Sequence, residues 1–202
     1  MPDQSALLHL ASASPRRREL LLQLGVPHAV LAVPAPPGED EPRLPGETPQ
    51  DYVRRTAREK ALRALRWRTE RGLPELPLLA ADTCVSLDQE IFGKPVDASD
   101  AAAILARLSG TCHMVRTAVV LAHAGQLLED LSQTQVWMRE LDAGEITRYC
   151  AGPEPYGKAG AYGIQGLAGA FVARIDGSYT GVMGLPLCET AGLLARAGIM
   201  RP

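Results

Sequence analysis

Aromatic side chains are scarce in this chain: two phenylalanines, two tryptophans and five tyrosines make up 4% of the residues. No basic stretch is interleaved with those rings, so a nucleic-acid platform of stacked bases over cations has no support. Charge of one sign is also lacking. With 21 Lys and Arg against 23 Asp and Glu, a net −2 gives no general attraction to polyanions or acidic membranes, and anion binding must be local. Cys84, Cys112, Cys150 and Cys188 are far apart and form no C-x-x-C pair, which argues against a zinc site or a disulfide framework. Reduced, mostly buried thiols are expected. No basic segment followed by an apolar core opens the chain, and no apolar run is long enough to span a bilayer, so a cytoplasmic protein is expected. Repeats and low-complexity linkers are absent as well. What remains is 202 residues, 46% of them hydrophobic, enough for one α/β domain over residues 1–202 around a mixed central sheet flanked by helices.

The organising stretch is Leu7–Leu22: an apolar run, the small-residue turn Ala11-Ser12-Ala13-Ser14, then Pro15 and an amphipathic helix. Ser14 suits the N-cap and Pro15 the first helical position, where no N–H is needed. Arg16, Arg17 and Arg18 then sit at the positive end of a helix dipole, which disfavours cations by a few tenths of a kcal/mol each, roughly, and calls for an anionic partner. A phosphate held by free N–H groups, by the Ser12 and Ser14 hydroxyls and by guanidinium forks would supply it. A solvated arginine run is the plainer alternative.

Beyond that helix, which ends near Gly25, residues 28–33 read as a second strand and Pro34–Pro49 as a Pro- and Gly-rich loop. The acidic cluster Glu39-Asp40-Glu41 in that loop is a solvated tip or a source of metal-ligand carboxylates. Thr48-Pro49 opens a helix to about Arg71, on which Lys60 interrupts the apolar stripe Val53, Ala57, Ala64, Trp67. Lys60 either snorkels over the core edge or points inward near a phosphate site. Pro77–Leu87 is the strongest strand, and Asp82 stands at its centre, where an unpaired carboxylate is expensive; it needs a cation or a chemical task. Lys94, between Gly93 and Pro95, points into a site or covers a turn. Asp97 and Asp100 start a helix through Leu108, strands follow over 114–122 and 127–138 about a Gly125 hairpin, and Asp142-x-x-Glu145 starts a helix to Cys150. The glycine-rich segment 152–166 has the character of a binding loop. Two strands around Asp176-Gly177 and a helix after Pro186 are expected to complete the chain.

Taken together, Ser12-Ala13-Ser14-Pro15-Arg16-Arg17, Arg58-Glu59-Lys60-Ala61, Ala81-Asp82-Thr83, Lys94-Pro95 and Lys158-Ala159-Gly160-Ala161-Tyr162-Gly163-Ile164-Gln165-Gly166 resemble the Maf family of nucleoside triphosphate pyrophosphatases, in the branch that hydrolyses dTTP and UTP. The resemblance implies an α/β fold similar to inosine triphosphate pyrophosphatases, with a cleft between two lobes, in a homodimer. It implies hydrolysis between the α- and β-phosphates with Mg2+ or Mn2+, a nucleoside triphosphate as partner, and neither nucleic acid nor membrane. Carried over by motif, Asp82 is the base that handles water, Ser12, Arg16, Arg17, Lys60 and Lys94 hold the phosphates, and Arg16, Thr83 and Gln165 govern substrate choice. Metal ligands stay unassigned. Where the family often has an acidic residue after the second strand this chain reads Pro34-Ala35-Pro36-Pro37, and before the late lysine it has Gly157; Glu39 and Asp40 are the nearest substitutes. Cys84 reads as a buried replacement for an aliphatic residue, not as a nucleophile.

Gln165 separates the readings of substrate. A carboxamide places a donor beside an acceptor and can pair with the N3–H and adjacent carbonyl of thymine or uracil, whereas a carboxylate suits the two adjacent donors of guanine. The sister branch, which acts on 7-methylguanosine triphosphate, typically carries Glu there. That activity and a non-catalytic nucleotide sensor are the alternatives.

Overall fold

A computed structural model describes residues 6–34 and 41–200. In chain order its elements are β1 (Leu8–Leu10), α1 (Pro15–Gln23), β2 (His28–Val30), α2 (Pro49–Glu70), β3 (Leu78–Leu87), β4 (Glu90–Phe92) and α3 (Ala98–Leu108), then β5 (Cys112–His123), β6 (Gln126–Met138), α4 (Ala143–Cys150), β7 (Val172–Asp176), α5 (Tyr179–Met183) and α6 (Leu187–Arg196). Local signals account for most of the helix starts. Thr48 Oγ1 accepts from Asp51 N at 3.2 Å, Asp97 Oδ1 from Asp100 N at 2.8 Å, and Asp142 and Glu145 close a reciprocal capping box.

Among the described residues the sheet has seven strands in the order β2-β1-β3-β5-β6-β7, with β4 on β3, and it is mixed: β2, β1 and β3 run parallel while the remaining pairs are antiparallel. Its pairing places the site. One edge of β3 is covered along its length by β5, from Leu78 to Ser86. The other edge pairs with β1 at Leu78 and Leu79 and with β4 from Val85 to Leu87. Between those contacts, around Asp82 and Thr83, the described residues place no strand on that edge, and the sheet forks there.

Side chains alternate across β3. Leu79 and Ala81 join Leu8, Leu10, Leu20, Leu121 and Leu193 on the face covered by α1 and α6. Leu78, Ala80 and Cys84 meet Val53, Ala57, Ala61 and Ala64 of α2 on the other face. Small side chains on both sides of this second interface bring α2 close to β3. A third cluster, including Phe92, Leu105, Leu108, Tyr149 and Phe171, packs α3, α4 and the segment before β7.

Several expectations are corrected. The second strand stops at Val30 because its parallel partner β1 is itself only three residues long. β4 was not anticipated. Among the described residues no strand follows Asp176-Gly177: a Cβ at Gly177 would lie 2.7 Å from Thr134 Oγ1, and Ser178 Oγ accepts from Gly181 N at 3.0 Å, so the chain is capped into α5 instead of a hairpin. Ser14 occupies the N-cap position without a side-chain capping bond; its own N–H donates to Ser12 Oγ at 3.2 Å. Of the four free cysteines only Cys84 and Cys150 are buried, while Cys112 and Cys188 are exposed.

Candidate active site

Asp82 faces α2 and is 5% exposed. Thr56 and Lys60, four residues apart and therefore on one helical face, take one carboxylate oxygen each: Thr56 Oγ1 donates at 2.5 Å and Lys60 Nζ at 2.6 Å. Lys60 thus points inward, onto a protein carboxylate. Glu41 ion-pairs with the same ammonium, so two carboxylates converge on one lysine. Of the acidic cluster, Glu39 and Asp40 lie outside the described residues, and Glu41 reaches the site.

Thr83, the next residue, faces the opposite side of the sheet and meets α1. Arg17 donates from Nε to Gly184 O at 2.7 Å, from Nη1 to Ser12 Oγ at 3.4 Å and from Nη2 to Thr83 Oγ1 at 3.2 Å. Arg16 donates from Nε to Met183 O at 3.3 Å. These carbonyls end α5, where the negative pole of the helix dipole favours cations, so protein acceptors supply part of the compensation that the arginines of the first turn require. Burial lowers the pKa of both guanidinium groups; Asp82 opposes this at Arg17 and Glu19 at Arg16. Arginine remains charged throughout. Gly184 has φ +114°, a conformation that favours glycine, and a Cβ there would lie 3.6 Å from Arg17 Nε.

The glycine-rich segment closes the third side. Gly160 packs so near β3 that a Cβ would lie 2.9 Å from Val85 Cγ2, and its N–H donates to Gly93 O at 3.1 Å, which ties this segment to the Lys94 turn. Glu154 accepts from Leu167 N, Ala168 N and the Tyr149 hydroxyl at 2.9, 3.1 and 3.0 Å. Burial would raise its pKa, but these donors outweigh burial and lower it. Tyr162 is anchored from behind, its hydroxyl 2.8 Å from Nε2 of buried His113. Lys158 donates to the Glu154 carbonyl, and burial, then Arg16, lower its pKa. Gln165 is exposed, and a Cβ at Gly163 would lie 3.3 Å from its Nε2.

These groups line one cavity of about 410 Å3 at the fork of the sheet. Ser12, Arg16, Arg17, Lys60, Asp82, Thr83, Lys94 and Gln165 all border it, so the eight residues given a role by motif are brought to one place. Two other bordering residues were missed: Arg63 lies one turn beyond Lys60, and Lys158 sits inside the glycine-rich motif. Glu41, of the acidic cluster, reaches Lys60 without lining the cavity. Among the described residues, six cationic side chains and one carboxylate line the cavity, against −2 for the whole chain. The local excess of positive charge suits a polyanion. No group of three or more His, Cys, Asp or Glu that could hold a metal ion occurs among the described residues. The available donor set is Asp82 with Glu41, two carboxylates about one ammonium. That set fits a hard divalent cation whose remaining ligands are phosphate and water oxygens.

The family described as Maf-like protein matches residues 7–197. A Bordetella avium protein named dTTP/UTP pyrophosphatase is 66% identical over 200 residues, covering 99% of this chain and 100% of the relative. Proteins of the same name from Cupriavidus metallidurans and Dechloromonas aromatica are 55% and 52% identical, over 96% and 95% of this chain and 98% and 97% of their own lengths. On both the family match and these relatives, the chain belongs to the Maf-like family.

Proposed function

We propose that this protein hydrolyses dTTP and UTP to the nucleoside monophosphate and pyrophosphate. The observation that carries the reading is the gathering of six cations around one buried carboxylate in a single cavity. The names of its full-length relatives support the choice of base. Asp82 Oδ1 and Oδ2 each accept one bond from the protein and keep a lone pair for water. In the reaction a water oxygen bonds to the α-phosphorus and its proton passes to Asp82. The bond from the α-phosphorus to the bridging oxygen breaks, and pyrophosphate leaves. Ser12, Arg16, Arg17, Lys60 and Lys94 hold phosphate oxygens and stabilise the charge that develops on them. Asp82 and Glu41 are the residues that would hold Mg2+ or Mn2+, which when bound supplies neutralisation of the phosphate oxygens and of the leaving pyrophosphate. Gln165, at the cavity mouth, pairs with the imide edge of thymine or uracil, and Arg16 and Thr83 share in substrate choice.

The same reading makes residues 1–202 one domain working in the cytoplasm, with a nucleoside triphosphate as partner and neither nucleic acid nor membrane. Assembly as a homodimer rests on the family resemblance. The test is kcat/KM for pyrophosphate release from dTTP, UTP, CTP, GTP and 7-methyl-GTP under one metal condition. Preference for dTTP and UTP is expected; binding without release, or preference for 7-methyl-GTP, overturns the reading.

A further inference from the structure

Thr117 has no place in the chemistry described above, yet its hydroxyl ends a hydrogen-bond chain that begins on Arg17. It lies on β5 directly opposite Thr83 and is 1% exposed. Counting protons fixes the direction of each bond. Gly181 O can only accept, so Thr117 spends its single proton there, at 2.8 Å. Thr83 Oγ1, 2.9 Å from Thr117 Oγ1, must then donate to Thr117. Arg17 Nη2 in turn donates to Thr83, at 3.2 Å. The opposite edge of the guanidinium is fixed at Gly184 O, 2.7 Å from Nε. Both ends of the arrangement therefore terminate on carbonyls of α5 and its C-cap, Gly181 and Gly184, and the guanidinium plane is held between them.

We propose that Thr117 is a positioning residue for the pyrophosphatase reaction: acting through Thr83, it sets the rotation of the Arg17 guanidinium so that its remaining N–H groups face the phosphates. A consequence concerns Thr83. Its proton is committed to Thr117, so it can accept from a ligand but has none left to donate to a base carbonyl, and its influence on the substrate passes through Arg17. The proposal rests on the function given above.

A double-mutant cycle on the full-length protein tests it, with Thr117→Val, Arg17→Ala and the double variant read as kcat/KM for dTTP at one Mg2+ concentration. Thr117→Val is expected to lower kcat/KM about tenfold, the loss typical of an unsatisfied buried hydroxyl partner, while Thr117→Ser stays within about threefold of wild type. In the Arg17→Ala background Thr117→Val is expected to add less than about twofold. The same tenfold loss in both backgrounds, or wild-type kinetics of Thr117→Val, overturns the proposal. If Thr117→Val does not fold, Thr117→Ala carries the same cycle. Calorimetric titration with inorganic triphosphate repeats the cycle without catalysis, so a wild type that releases no pyrophosphate defeats the functional reading alone. In that titration, wild-type affinity of Thr117→Val defeats the positioning role.

Discussion

Asp82 and Thr83 are neighbours on β3, but they face opposite sides of the sheet and the cations that meet them are held in different ways. On the α2 side, the Lys60 ammonium lies between the Asp82 and Glu41 carboxylates, which offset much of its charge before a phosphate meets it. On the α1 side, each of the three groups that Arg17 hydrogen-bonds is a neutral oxygen: a carbonyl, a serine hydroxyl and a threonine hydroxyl. Orientation without neutralisation leaves the guanidinium charge acting on the cavity. The α2 side thus concentrates proton and metal chemistry, while the α1 side supplies attraction for phosphate. Variants on the two sides should separate turnover from binding.

The largest effect belongs to the α2 side. Asp82→Asn is expected to lower kcat by about two to four orders of magnitude while affinity for a non-hydrolysable dTTP analogue changes little, because Lys60 retains Glu41 and the α1 side is untouched. Stopped-flow pyrophosphate release beside calorimetry checks this; wild-type turnover would remove Asp82 from the mechanism. Next comes Arg17→Ala, expected to cost roughly 1.5–3 kcal/mol in kcat/KM, the range for a charge-assisted bond, with weaker binding of the analogue. Arg16→Ala should cost less, since a single 3.3 Å bond orients that side chain. Equal losses at 16 and 17 would mean that orientation by protein acceptors has no bearing on the clamp. Smaller again is Gln165→Glu, expected to cost about 1 kcal/mol at this exposed position, more with dTTP and UTP than with GTP. An equal loss on every nucleotide would make Gln165 a support for its loop.

The smallest effect on catalysis, visible instead as stability, concerns the histidine behind the glycine-rich segment. Burial pushes the His113 pKa down from 6.5 to about 4. Between those values the unfolded chain takes up a proton that the folded protein refuses. Its contribution to stability is therefore complete above pH 6.5 and lost progressively as the pH falls to about 4. Melting temperature against pH should decline over that window, and His113→Gln should flatten the decline.

Legibility in the sequence followed the range of the interaction. Thr48-Pro49 and Asp142-x-x-Glu145 announced their helices because the capping bonds lie within three residues of each other. Asp82 stood out because a charge in an apolar strand has few structural uses, and Lys60 because it broke an alanine-rich stripe. The carbonyl partners of Arg16 and Arg17, Met183 O and Gly184 O, were hidden. They lie more than 160 residues away, and a carbonyl carries no side-chain signature. Glu41 was not singled out within its cluster because a loop's path, not its composition, decides whether a carboxylate reaches Lys60. The segment after Gly177 misled for a local reason: Asp-Gly signals a hairpin, but here the serine that follows caps a helix.

The most direct test of the functional claim is the identity of the products, followed by 31P NMR during incubation of the wild-type protein with dTTP and Mg2+. The expected result is equal amounts of dTMP and pyrophosphate with no orthophosphate, and neither product from Asp82→Asn on the same timescale. Release of orthophosphate with dTDP, or unchanged product formation by Asp82→Asn, would contradict cleavage between the α- and β-phosphates directed by Asp82.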